Sequence, residues 1–187
     1  QSGNIGSIKK ALKDIIKHEP YKLKVITGNF DPNSFDKIIL PGQGAYATLM
    51  SNLKKLKIYK PLKEYLNNDG SYLGICVGMQ ILSDEGNEDK ITKGLGIIPG
   101  KINKFSKKNL IIPHMGWNSV HIKKTDSVIS KIFNQKDFYF VHSYVYENIK
   151  NSDIIAHTKY GKNFPSIINR GKIYGVQFHP EKSHKNG

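Results

Sequence analysis

The stretch GICVGMQ, residues 74–80, limits the possible folds of this chain more than any other segment. It leaves the apolar run SYLGI, residues 71–75, and enters a helical pattern. A strand that turns into a helix around a nucleophile flanked by small residues is a nucleophile elbow. Glycines at 74 and 78 remove side chains that would clash in so sharp a turn. The sulfur of Cys76 is then expected at the carboxyl edge of a sheet, beside helix-start amides that stabilise negative charge. The same helix start is expected to lower the thiol pKa and favour the thiolate. A lone cysteine is commonly a small buried hydrophobe, but the paired glycines favour the nucleophile. Cys76 is the only cysteine. That excludes an internal disulfide framework and points to a reducing, cytoplasmic setting.

Around the elbow, the pattern is that of an α/β protein. Residues 4–17 repeat apolar side chains at helical spacing, and YKLKVIT, residues 21–27, alternates like a strand. FDKIIL, residues 35–40, is a short apolar strand closed by PGQG. Helices are expected over 45–53, 58–67 and 77–83. Strands and helices in this order predict a flavodoxin-like, mainly parallel central sheet flanked by helices. The second half is β-rich, with GWNSVHIKK, DFYFVHSYVY, DIIAHTKY, FPSIINRG and KIYGVQFHP. These are read as added, partly antiparallel strands on the same core. No linker, composition shift or repeat interrupts the 187 residues, so one domain over 1–187 is expected. The opening GNIGS is a glycine turn that a strand normally feeds, and the end has no closing element. A first strand and a last helix are therefore expected to be missing.

The net charge of +14 invites a nucleic-acid reading. However, the lysines are scattered among isoleucines and asparagines, and no zinc-finger or RRM pattern accompanies them. No nucleic-acid partner is expected, and no apolar run approaches the roughly 20 residues that span a bilayer, so no membrane partner is expected either. No CxxC or HExxH occurs, so neither a metal nor a cofactor is expected.

A cysteine nucleophile needs a base, and the base needs an orienting group. Of the seven histidines, His179 in YGVQFHPE ends an apolar strand, with Glu181 two residues on. Both side chains can leave the strand at the edge where the elbow opens. A surface turn at HPE is the competing reading on chemistry alone. LPGQGA, residues 40–45, also fits a permitted form of the dinucleotide fingerprint. That match is weak, because the following strand ends at the elbow and not at an acid. A glycine loop that donates an N–H to an oxyanion fits better.

LPGQG, GICVGMQ, PHMGWN, FYFVHSY and YGVQFHPEKS occur in that order along the chain. Together they resemble the class I glutamine amidotransferases, most closely the glutaminase subunits of imidazole glycerol phosphate synthase. The resemblance implies that Cys76 attacks L-glutamine, that His179 protonates the leaving ammonia, and that Glu181 orients His179. It implies an oxyanion hole from Gly44 and Val77, and glutamine contacts from Gly44, Gln80, Glu88, Ser143 and Tyr144. It also implies a heterodimer with a (β/α)8-barrel cyclase subunit that receives the ammonia in histidine biosynthesis, docked on His114, Trp117, Asn118 and Lys182. The rival within the resemblance is a paralogous subunit feeding a sugar-modifying enzyme of surface-polysaccharide synthesis. Val77 and Gln43 depart from the residues common in the family, leucine and valine respectively.

Overall fold

In chain order, the first half holds α1 (Ile5–Ile15), β1 (Lys37–Gly42), α2 (Tyr46–Lys55), α3 (Tyr59–Asn67), β2 (Ser71–Cys76) and α4 (Val77–Gln80). Then come β3 (Glu85–Glu88), β4 (Lys90–Lys93), β5 (Lys101–Lys104), β6 (His114–Ile122), β7 (Lys136–His142) and β8 (Tyr144–Glu147). The chain continues through β9 (Ile154–Tyr160), β10 (Lys162–Arg170) and β11 (Ile173–Val176). This is a computed structural model that describes residues 5–106, 109–125, 128–129 and 135–187.

The main sheet has seven strands in the order β1-β2-β11-β10-β9-β6-β7. Its first three run parallel, with β2 between β1 and β11. The remaining neighbours pair antiparallel. The α/β class therefore takes a mixed form. The parallel part is confined to three strands, and the antiparallel strands of the second half make up the rest. A second sheet, β4-β3-β5-β8, packs beside it.

Helix α2 buries Tyr46, Leu49, Met50 and Leu53, the i, i+3, i+4, i+7 stripe of a helix laid on a sheet. Helix α3 buries Pro61, Leu62, Tyr65 and Leu66, two adjacent pairs one turn apart on a single face. Each such aliphatic side chain contributes about 1.5–3 kcal/mol by leaving water. On the antiparallel side Phe138, Phe140, Phe164 and Phe178 are fully buried, with Phe138 and Phe178 stacked at 4.1 Å.

Several expectations are corrected. Residues 21–27 form no strand among the described residues and are mostly exposed. Alternation alone makes no strand when no neighbour completes the backbone hydrogen bonds. Helix α4 ends at Gln80, shorter than expected, because Ile81 to Ser83 turn into β3. DFYFVHSYVY divides at Ser143 into β7 and β8, which belong to different sheets. The acidic stretch at 84–93 forms the β3–β4 hairpin, with Glu85 opposite Lys93 and Glu88 opposite Lys90.

Candidate active site

The elbow follows from how closely its backbones approach. A Cβ on Gly78 would lie 2.0 Å from the Leu40 carbonyl oxygen, and one on Gly74 would lie 2.4 Å from the Gly78 carbonyl oxygen. Only glycine allows β1, β2 and α4 to meet there. Cys76 sits at φ 54° and ψ −110°, a conformation costing a non-glycine residue about 1–3 kcal/mol. Strand pairing on both sides of β2 holds it, with Gly42 beside Cys76 and Val176 beside Ile75.

The sulfur is buried, with Cys76 only 4% exposed. Burial pushes the thiol pKa up to about 12, against the lowering effects of the Val77 amide, Lys182 and Gln177. The expectation of a lowered thiol pKa and a thiolate is thereby corrected. A four-residue helix carries little dipole, and loss of solvent outweighs its amides. The proton stays on sulfur until a base takes it.

That base is at hand. Strand β11 lies next to β2 and runs parallel to it, so the chain after Val176 emerges on the edge where Cys76 ends β2. There His179 Nδ1 lies 2.9 Å from Glu181 Oε1, with both side chains almost fully buried. A carboxylate oxygen only accepts, so Nδ1 carries the hydrogen and Nε2 is the basic nitrogen. Nε2 is buried with no hydrogen-bond partner among the described residues. The Glu181 charge also reaches Cys76, raising its thiol pKa. A protonated thiol, a free imidazole nitrogen and an orienting carboxylate form a set suited to acyl transfer.

Gly44 lies in the loop after β1, exposed, at φ 90° with open space where a Cβ would stand. Gln80 ends α4 and donates its Nε2 to the Tyr144 carbonyl at 3.1 Å. Glu88 reaches from β3 to the start of α2, where its Oε2 accepts the Tyr46 N–H at 2.7 Å. Ser143 and Tyr144, both half-buried, lie where the chain passes from β7 to β8. Sequence reasoning missed Gln177, which is fully buried and donates its Nε2 to Cys76 Sγ at 3.6 Å. Its signal was a lone amide inside the apolar run YGVQF.

Of the expected docking residues, Trp117 is 46% exposed and stacks on His184 at 5.1 Å. It pairs across the strands with Tyr139, over whose ring Lys182 Nζ stands at 5.7 Å. Asn118 is half-buried and ties β6 to β9 through the Lys159 carbonyl. His114 is only 3% exposed and stacks on Tyr160 and Phe140 inside this chain. It supports the face from beneath. Its Nδ1 is 3.0 Å from His142 Nε2.

An elbow cysteine with a His–Glu pair on the same edge of a mixed sheet defines a class of enzymes that work through an acyl-thioester. The profile of the family "Glutamine amidotransferase class-I" matches residues 3–187, and the chain belongs to that family. The fold agrees. A glutamine amidotransferase from Thermotoga maritima superposes with a TM-score of 0.70 at 14% identity, over 94% of this chain and 71% of that one. PurLQS from the same organism gives 0.69 at 16%, over 96% and 84%.

Sequence relatives are more specific. The imidazole glycerol phosphate synthase subunit HisH of Methanocaldococcus jannaschii is 45% identical, over 100% of this chain and 90% of its own length. That of Listeria monocytogenes is 41% identical, over 100% and 87%. The chloroplastic imidazole glycerol phosphate synthase hisHF of Arabidopsis thaliana is 38% identical over 100% of this chain, which spans 31% of that longer protein.

Proposed function

We propose that this chain is the HisH-type glutaminase subunit of imidazole glycerol phosphate synthase, acting in histidine biosynthesis. Relatives bearing that name match the whole chain at about two residues in five, and the sugar-modifying alternative has no comparable support. In this reading His179 Nε2 takes the thiol proton as Cys76 Sγ attacks the carboxamide carbon of L-glutamine. The new C–S bond gives a tetrahedral oxyanion, stabilised by the Val77 amide and an amide of the loop at Gly44. Collapse expels ammonia, which leaves with the proton held by His179. Water then attacks the thioester as His179 Nε2 takes a proton from it, and His179 passes that proton to sulfur as glutamate departs. Glu181 keeps the imidazole in one tautomer and stabilises the imidazolium.

Gly44, Gln80, Glu88, Ser143 and Tyr144 are the proposed glutamine contacts. Trp117, Asn118 and Lys182, backed by His114, are the proposed docking face for a (β/α)8-barrel cyclase subunit that receives the ammonia. The hisHF relative, whose name joins both activities in one chain, supports such a partner. The observation that carries the reading is the buried His179–Glu181 pair at 2.9 Å, with Nε2 left free, on the strand edge next to the one that Cys76 ends. Ammonia release from glutamine is the test, measured with and without the cognate cyclase and its nucleotide. Release that depends on Cys76 and rises with the partner is expected. Ammonia release that persists in Cys76→Ala would overturn the assignment.

A further inference from the structure

The Tyr144 carbonyl is an acceptor and nothing else, and it sets the direction of a whole hydrogen-bonded chain. The Gln80 amide atom 3.1 Å from it must be the NH2 group. That same NH2 lies 3.0 Å from the Gln177 side chain, so the facing Gln177 atom must be its oxygen. The NH2 of Gln177 is then left to point at sulfur, 3.6 Å from Cys76 Sγ. On its other side the Tyr144 carbonyl takes the Nδ1–H of His142 at 2.9 Å. His142 Nε2 is thus an acceptor, filled by His114 Nδ1–H. His114 Nε2 in turn accepts from Asn118 at 3.2 Å. Gln177 and Gln80 are buried, at 0% and 4% exposure, as are both histidines. Reversing one amide would set like groups against each other in a buried place.

We propose that Gln177 is a further catalytic residue of the proposed glutaminase, an N–H donor to the Cys76 sulfur whose polarity is imposed by the Tyr144 carbonyl through Gln80. Two N–H groups then converge on the sulfur, the Val77 main chain and the Gln177 side chain. Both bond the thiolate better than the thiol, so they lower the cost of moving the proton to His179. The glutamine pair also joins two residues of the site, since Gln80 at the end of α4 is itself a proposed substrate contact. Substrate that draws on Gln80 therefore acts on the same chain that ends at sulfur.

The proposal rests on the glutaminase reading, yet it has a readout that does not. Cys76 is the only cysteine, so alkylation by iodoacetamide across a pH series reports this one thiol. Gln177→Met keeps the length of the side chain and removes the donor. The expected result is an alkylation midpoint shifted to higher pH. Glutaminase kcat in the complex should fall about tenfold or more, the scale of one charge-assisted hydrogen bond, with little change in KM. Gln177→Asn keeps the amide but withdraws it by one methylene, and it should shift the midpoint in the same direction. This second variant serves if the first fails to fold. An unshifted midpoint in whichever variant folds, with unchanged kcat, overturns the proposal. If the wild-type complex releases no ammonia while the midpoint still shifts, the glutaminase reading fails and the hydrogen bond to sulfur stands.

Discussion

The carbonyl of Tyr139 accepts the main-chain N–H of His179 at 2.9 Å, while the Tyr139 N–H goes to the Ser183 hydroxyl at 3.0 Å. The Ser183 hydroxyl donates back to the His179 carbonyl at 2.6 Å. One residue of β7 thus clamps the turn that carries the imidazole, and its ring faces Trp117 and Lys182 on the exposed side. The proposed docking face and the proposed base share a single piece of main chain.

Removing the clamp is the direct test of that link. Ser183→Ala leaves the Tyr139 N–H without its partner and removes one of two donors from the His179 carbonyl, which keeps the Lys182 N–H. The loss is about 1–3 kcal/mol in stability. Denaturant unfolding should register it. Glutaminase kcat should fall more than KM rises, because the turn holding His179 loosens while the glutamine contacts stay. An unchanged kcat would show that the turn needs no such support.

Burial pushes the pKa of His114 down to about 4 and that of His142 to about 3. Both lie below the ordinary histidine value near 6.5. Between about 6.5 and 3 the unfolded chain therefore binds more protons than the folded one, His114 contributing down to about 4 and His142 to about 3. Stability is fully present above about pH 6.5 and falls on acidification through that window, by roughly a few kcal/mol in total. Unfolding free energies at a series of pH values check the sign. His142→Asn and His114→Asn should flatten the slope.

The isolated chain is expected to hydrolyse glutamine slowly. Its thiol is protonated, its sulfur is covered, and Gly44 sits in an open loop that must present an amide. Adding the cognate cyclase with its nucleotide should raise the rate, since a partner that favours the closed loop shifts that equilibrium. Fast turnover without any partner would refute this.

Trp117→Ala should weaken cyclase binding by about 2 kcal/mol or more, the scale of an aromatic anchor at an interface. The Tm of the free chain should hardly move, because nearly half of Trp117 faces solvent. Titration calorimetry separates the two effects. Equal affinity in the variant would remove Trp117 from the interface.

Gly78→Ala should cost about 1–3 kcal/mol or prevent folding, since the new methyl meets the Leu40 carbonyl and not a yielding side chain. Thermal unfolding measures the loss. A variant as stable as the wild type would mean that β1 and α4 approach less closely than described.

What could be read in advance was local. Helical spacing placed α1, α2 and α3, and GICVGMQ announced the elbow. The HPE step paired an imidazole with a carboxylate two residues away. Where a feature needed a partner from elsewhere, reading failed. Residues 21–27 alternate but find no strand neighbour among the described residues. Gln177 looked like one polar residue in an apolar run, because its partners Gln80 and Cys76 are 97 and 101 residues away.

The sequence by itself determined the chemistry on offer: one thiol in a turn only glycines permit, one imidazole with its carboxylate, and the periodicities of the helices. Those depend on residues within a few positions of each other. Tertiary structure decided how much water reaches the sulfur, and so whether the thiol keeps its proton. It decided which way each buried amide points, because a carbonyl on β8 fixes amides at the ends of α4 and β11. It also decided that the mixed sheet sets β2 against β11, bringing together groups that lie about a hundred residues apart in the chain. Burial and hydrogen-bond direction are properties of neighbours in space, and strand order chooses those neighbours.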